Sequence, residues 1–206
     1  MHTHEFCGPN AIPGAHCPNC DKPLLKLAKL SATDPVLELD PQRIPDLPLL
    51  YCWTCAIPYG EFRYKIHPDG SVKVVTFLDK YEEAFGPDGP YDGYTGEYPA
   101  RSFCLAPQSS KEQSLLRSHF EGEDVDVPDD LIQHQIGGLP MIYNPQSDIC
   151  PECGEEMPTF ASIADNALGN GYAEKAEGSF VDNCGVQTVF LLCRNCSLVS
   201  AYHSCD

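Results

Sequence analysis

Basic residues are scarce in this chain of 206 residues. Only 13 lysines and arginines stand against 30 aspartates and glutamates, a formal net charge of -17. Affinity for nucleic acid comes mainly from Lys and Arg neutralising phosphates, so that charge argues against a nucleic-acid partner and for a basic protein. The seven histidines do not reverse the sign near neutral pH. Long apolar runs are missing as well. No stretch approaches the roughly 18 residues of a membrane span, and no membrane partner is expected. The segment from Met1 to Cys7 has neither a basic start nor an apolar stretch, so it does not read as a secretory leader. The expectation is a reducing cytoplasm. Catalytic signatures are also lacking: there is no Gly-x-Ser-x-Gly elbow, phosphate-binding glycine loop or His-Glu-x-x-His helix. An enzyme is therefore not expected.

What is present suits a folded, mainly β protein. Hydrophobic residues make up 42% of the chain and aromatics 10%, enough to bury a core. The 19 prolines and 16 glycines call for many turns and short strands rather than long helices.

Twelve cysteines are many for a reducing compartment. Eight of them form four copies of one spacing: Cys17-Pro-Asn-Cys20, Cys52-Trp-Thr-Cys55, Cys150-Pro-Glu-Cys153 and Cys193-Arg-Asn-Cys196. Cysteines separated by two residues make a tight knuckle with both sulfurs facing one ion, and two knuckles close a tetrahedron of thiolates. The expected cofactor is Zn2+ in two structural sites, with iron as the alternative in the same geometry. Disulfides would need an oxidising compartment, and a thioredoxin-like pair needs one such motif rather than four. A catalytic zinc keeps a water position open, whereas four cysteines close the shell. The lone Cys7, Cys104, Cys184 and Cys205 read as small buried hydrophobes.

The knuckles fall into two matching halves. Cys17-Cys20 is followed by Leu24-Leu25-Lys26-Leu27, and Leu49-Leu50-Tyr51 leads into Cys52. Cys150-Cys153 is followed by Thr159-Phe160-Ala161, and Val189-Phe190-Leu191-Leu192 leads into Cys193. Pairing within halves closes the shorter loops. It puts Cys17, Cys20, Cys52 and Cys55 on one metal and Cys150, Cys153, Cys193 and Cys196 on the other. The expected fold is two pseudo-repeated β units with zinc-ribbon-like knuckles, their sheets packed together. The first repeat covers residues 1–108, a helix and acidic linker covers 109–133, and the second repeat covers 134–206.

Other segments carry local signals. Phe62, Tyr64 and Ile66 alternate, His67-Pro68-Asp69-Gly70 turns, and Val72, Val74 and Thr76 return as a hairpin. Ser110 to Phe120 reads as a helix with a capping box from Ser109 and Glu112 and an apolar face of Leu115, Leu116 and Phe120. Glu121 to Asp130 is dominated by acids and reads as a solvated linker, with a docking strip for a basic partner as the alternative. Tyr91, Tyr94 and Tyr98 lie in a Gly/Pro-rich segment expected to rest its rings on a sheet, with a ligand-binding aromatic loop as the alternative. Gly137-Gly138 before Pro140 suits a turn with positive dihedrals, and Asp182 before Gly185 suits a turn into the strand at Val186. His134 and Asp182 read as a structural pair sooner than a shared cleft.

The order of three stretches resembles the YwqG-like family of bacterial proteins of unknown function. These are His134-Gln135-Ile136-Gly137-Gly138-Leu139-Pro140, then Phe180-Val181-Asp182-Asn183-Cys184-Gly185-Val186, then the closing His203-Ser204-Cys205-Asp206. The family pattern has Gly before the Asp where Val181 stands and Gln where Ser204 stands. That broad family includes programmed cell death protein 2, which looks after a ribosomal protein before assembly. The resemblance implies a chaperone or adaptor for a basic client, with a ribosomal protein as the client class. An immunity protein against a basic toxin is the alternative in the binding class. An enzyme with a pocket containing His134 or His119 is the alternative outside it.

Overall fold

The structure is a computed structural model, and it describes residues 2–52, 55, 62–77, 100–126, 134–137, 142, 145–164 and 186–205. It is mainly β, as expected. The strands in chain order are β1 (His4–Phe6), β2 (Leu25–Ser31), β3 (Asp46–Tyr51), β4 (Arg63–Ile66), β5 (Val72–Thr76) and β6 (Arg101–Phe103). After helix α1 (Ser110–Phe120) come β7 (His134–Ile136), β8 (Asp148–Ile149), β9 (Glu156–Met157), β10 (Thr159–Ala164), β11 (Val186–Cys193) and β12 (Leu198–Cys205). They form a four-stranded sheet in the order β3-β2-β1-β6, a six-stranded sheet β5-β4-β12-β11-β10-β7, and the small pair β8-β9. Every strand pairing among the described residues is antiparallel.

The pseudo-repeat is visible in the pairing. In each half an antiparallel strand pair, β2–β3 or β10–β11, is preceded by one knuckle and followed by the next. Both pairs carry a register shift near their start, at Lys26/Ala28 and at Thr159/Ala161. The strand after the second knuckle behaves differently in the two halves. β12 folds back on β11, whereas β4 leaves the β2–β3 sheet and pairs with β12. The hairpin β4–β5 therefore extends the sheet that β10–β12 build. Its turn is as expected: Gly70 N–H donates to His67 O and Asp69 accepts from Ser71 N–H at 2.9 Å.

The two sheets share one core. Leu27, Leu30, Leu47 and Leu49 of the first sheet pack with Tyr64, Ile163, Phe190, Leu192, Val199 and Ala201 of the second. Each such buried aliphatic side chain contributes about 1.5–3 kcal/mol. The opposite face of the six-stranded sheet carries Val189, Leu191, Leu198 and Tyr202 under Met157 and Ile142. Burial on both faces explains why Val189 to Leu192 is an unbroken apolar run instead of an alternating one. Tyr64 crosses the core. Its hydroxyl donates to Pro48 O at 2.8 Å and accepts from Leu50 N–H at 3.0 Å, both on β3.

Helix α1 begins where the sequence places it. Ser109 accepts from Glu112 N–H and the Glu112 carboxylate accepts from Ser109 N–H, the reciprocal capping box. Leu116 is fully buried and Leu115 half-buried, while the Phe120 side chain lies outside the described residues. Gly137 has φ +69°, as its turn requires. Cys7 is buried as expected, but Cys104 is exposed. It follows the last residue of β6, at an edge of the four-stranded sheet where the chain leaves the core. Gly138 to Pro140, Asp182, Cys184 and Tyr91 to Tyr98 lie outside the described residues, as does the Cys205 side chain.

Candidate metal centres

Each knuckle is shaped by its backbone before any side chain acts. Cys17 N–H donates to Lys22 O at 2.9 Å and Asp21 N–H donates to Cys17 O at 2.9 Å. The third knuckle repeats both bonds: Cys150 N–H to Glu155 O at 2.8 Å and Gly154 N–H to Cys150 O at 2.9 Å. Closing so tight a loop forces a left-handed residue directly after the second cysteine. Asp21 (φ +57°), Gly154 (φ +75°) and Ser197 (φ +55°) occupy that position in three of the knuckles. Pro18 and Pro151 follow the first cysteines, where a fixed φ favours the turn. Trp53 and Thr54 of the second knuckle lie outside the described residues.

The strands then bring the knuckles together. Antiparallel β2–β3 sets Cys17 and Cys20 against Cys52 and Cys55, and β10–β11 does the same for Cys150, Cys153, Cys193 and Cys196. Within each set all four sulfurs lie within 4.8 Å of one another. Cys17 Sγ is 3.7 Å from Cys55 Sγ, Cys20 Sγ 3.7 Å from Cys52 Sγ, and Cys153 Sγ 3.6 Å from Cys193 Sγ. Thiolates at the corners of a tetrahedron, each about 2.3 Å from a central metal, stand about 3.8 Å apart. A disulfide needs about 2.05 Å, so these spacings fit metal ligation and not cross-linking. All eight cysteines are free. The eight sulfurs thus fall into the two sets expected from the spacing, and each set can hold a metal ion.

The electrostatics ask for a cation. Hydrogen bonding with Cys17, Cys20 and Cys55, together with burial, pushes the Cys52 thiol far up, while Cys52 holds Cys20 down to about 7. In the second set burial raises Cys193 to about 11. Burial and then the sulfurs of Cys153, Cys150 and Cys193 raise Cys196 as well. Four thiolates side by side are untenable alone, and a bound divalent ion removes the conflict.

The two sets differ in their surroundings. In the first, Cys17, Cys52 and Cys55 are buried, and Asn19 Nδ2 donates to Cys55 Sγ at 2.9 Å. In the second, Cys153 is exposed and Cys196 half-buried. Asn195 holds the position within its knuckle that Asn19 holds in its own, yet it donates to Glu155 Oε2 at 2.6 Å. That same carboxylate oxygen lies 3.9 Å from Cys153 Sγ. These outer residues were not identified from the sequence, although Asn two places after the first cysteine in both knuckles was a usable signal.

Hairpin β4–β5 touches both centres. Lys65 donates to Glu152, inside the third knuckle, at 2.7 and 2.8 Å, and Ile66 N–H donates to Ser197 O at 2.9 Å. On the other strand, directly opposite Ile66, Val72 N–H donates to Pro13 O at 2.9 Å, just ahead of the first knuckle.

His134 lies on β7 and His119 on α1. His134 borders a cavity beside Arg101 and Cys104, and His119 does not line it. No helix among the described residues is long and apolar enough to cross a membrane. Compared with known proteins, the chain matches no family model, no curated protein and no solved structure.

Proposed function

We propose that this chain is a non-catalytic protein-binding module, held in shape by two structural zinc ions, that acts as a chaperone or adaptor for a basic client. The observation that carries the reading is the combination of a net charge of -17 with two closed four-cysteine sets. Four sulfurs complete a zinc shell and leave no position for a substrate, so the metals serve the fold. Zinc is favoured over iron because it needs no redox partner and suits closed thiolate sites. An exposed run of acids, Glu121, Glu123, Asp124 and Asp126, follows α1 and supports the reading. Such a field raises the on-rate of a cationic protein. The resemblance to the YwqG-like proteins and programmed cell death protein 2 points to a ribosomal protein as the client, in a reducing cytoplasm.

The test is binding between the zinc-loaded chain and purified basic ribosomal proteins, followed from low to physiological salt. The reading expects one of them to bind far more tightly than the others, with affinity falling as salt rises. An equally acidic control protein that binds the same set equally well would remove it. Stoichiometric capture of a basic toxin instead would shift it to an immunity role.

A further inference from the structure

Ile66 and Val72 face each other as register partners in the hairpin β4–β5, and each turns its N–H away from the other strand. Ile66 N–H donates to Ser197 O at 2.9 Å on one side, and Val72 N–H donates to Pro13 O at 2.9 Å on the other. Ser197 is the left-handed residue (φ +55°) directly after Cys196, so closure of the fourth knuckle sets where its carbonyl points. Pro13 opens the lead-in to Cys17, and that lead-in is tied to the strand leaving the first knuckle. His16 forms a bridge with Pro23, and Leu24 N–H donates to Ala15 O at 2.9 Å. One line of backbone hydrogen bonds and strand pairing therefore joins the two metal centres, from Pro13 through Val72 and Ile66 to Ser197. Each of its interstrand steps spans about 4.8 Å.

The line is stiff. Ile66 and Val72 are only 1% and 4% exposed, and their side chains sit in the core that also holds Ala15, Cys17 and Leu24. Lys65, the residue before Ile66, adds its bonds to Glu152 inside the third knuckle. Metal binding and local folding are one event in such knuckles, so a loaded set fixes its own loop and seats the hairpin. The other set then closes on a frame that is already ordered, and its own ordering costs less. We infer that the two cysteine sets bind zinc with positive cooperativity, carried by the Ile66–Val72 rung. By linkage the effect is mutual, an ion at either set raising affinity at the other by the same factor. The inference rests on the zinc part of the functional reading and deepens it; the client plays no part.

The experiment is native mass spectrometry of the full chain during a zinc titration, counting chains that hold no ion, one or two. The product of the empty and two-ion populations, divided by the square of the one-ion population, is the coupling ratio. It reaches at most about one quarter for independent sites, however unequal, and coupling multiplies it. Val72→Pro removes the N–H at the first residue of β5, an edge strand among the described residues, where proline is tolerated. It lowers the ratio at least threefold, whereas Val72→Ala, which keeps the N–H, retains the parent value. A smaller change in folded Val72→Pro, or an equal fall in Val72→Ala, overturns the inference. If Val72→Pro does not fold, the parent decides: a ratio above about one quarter upholds the coupling and one at or below it overturns it. Two ions bound with no coupling leave the zinc reading standing, while uptake of fewer than two removes both.

Discussion

Arg63 and Asp148, 85 positions apart in the chain, meet in a two-pronged ion pair. Nε and Nη2 of the guanidinium each donate to one carboxylate oxygen at 2.7 Å. The pair fastens β4, which follows the first metal set, to the strand that leads into the third knuckle. Its side chains are only 17% and 8% exposed, so removing one partner strands a buried charge. Arg63→Ala is expected to cost about 2–4 kcal/mol in urea unfolding. The double variant Arg63→Met with Asp148→Leu recovers most of that loss. If the two single alanine costs simply add in the Arg63→Ala/Asp148→Ala double variant, the pair contributes no coupling.

The two metal sets differ in protection, and metal release should follow. Cys153 is exposed with a carboxylate nearby, whereas three sulfurs of the first set are buried and one receives an amide N–H. A chromophoric chelator added to the zinc-loaded protein is expected to draw two zinc ions per chain in two phases. The Cys153→Ser variant loses the fast phase and Cys17→Ser the slow one, because binding at each set is coupled to local folding. A single phase, or the reverse assignment, would count against it.

Gly14 is constrained from two directions. Its φ is +79°, and a Cβ there would sit 2.0 Å from the backbone oxygen of Val72. Neither the turn nor β5 can yield without breaking the Val72 N–H to Pro13 O bond. Gly14→Ala is expected to destabilise the fold by at least about 3 kcal/mol, read from the urea midpoint. A change below about 0.5 kcal/mol would show that the loop relaxes freely.

His203 supplies a pH dependence. It is half-buried on β12 with Nδ1 2.9 Å from the Tyr51 hydroxyl, and burial holds its pKa below the ordinary 6.5. The unfolded chain therefore binds the proton more readily than the folded one. Stability is flat above that pH and declines as pH falls below it toward the folded value. With zinc kept saturating, His203→Gln should flatten the urea midpoint between pH 7 and pH 5.5 relative to the parent. Parallel profiles for the two proteins would assign the acid sensitivity elsewhere.

Much of the candidate site was legible because its chemistry is local. Cys-x-x-Cys spacing, the apolar strands beside each knuckle, the Asp69-Gly70 turn and the Ser109 cap each need only neighbouring residues. What escaped is long-range. Nothing near Arg63 or Lys65 signals that β4 deserts its own half to pair with β12, because Asp148 and Glu152 lie over eighty residues away. The three-residue strands β1, β6 and β7 are too short to show a period, so the edges that frame the cavity could not be read either. Cys104 was misjudged for the same reason, since its exposure depends on where the sheet stops.

The Tyr64 hydroxyl has a consequence for solubility. Among the described residues β3 is the outermost strand of its sheet, the kind of border that recruits strands from other molecules. One of its donors, Leu50 N–H, and one of its acceptors, Pro48 O, are occupied by a side chain from the opposing sheet. Pro48 itself has no N–H to offer. This margin of the molecule is thus insulated from intermolecular strand addition by a residue that never leaves the interior, and a Tyr64→Phe protein would be the one to watch for fibrils.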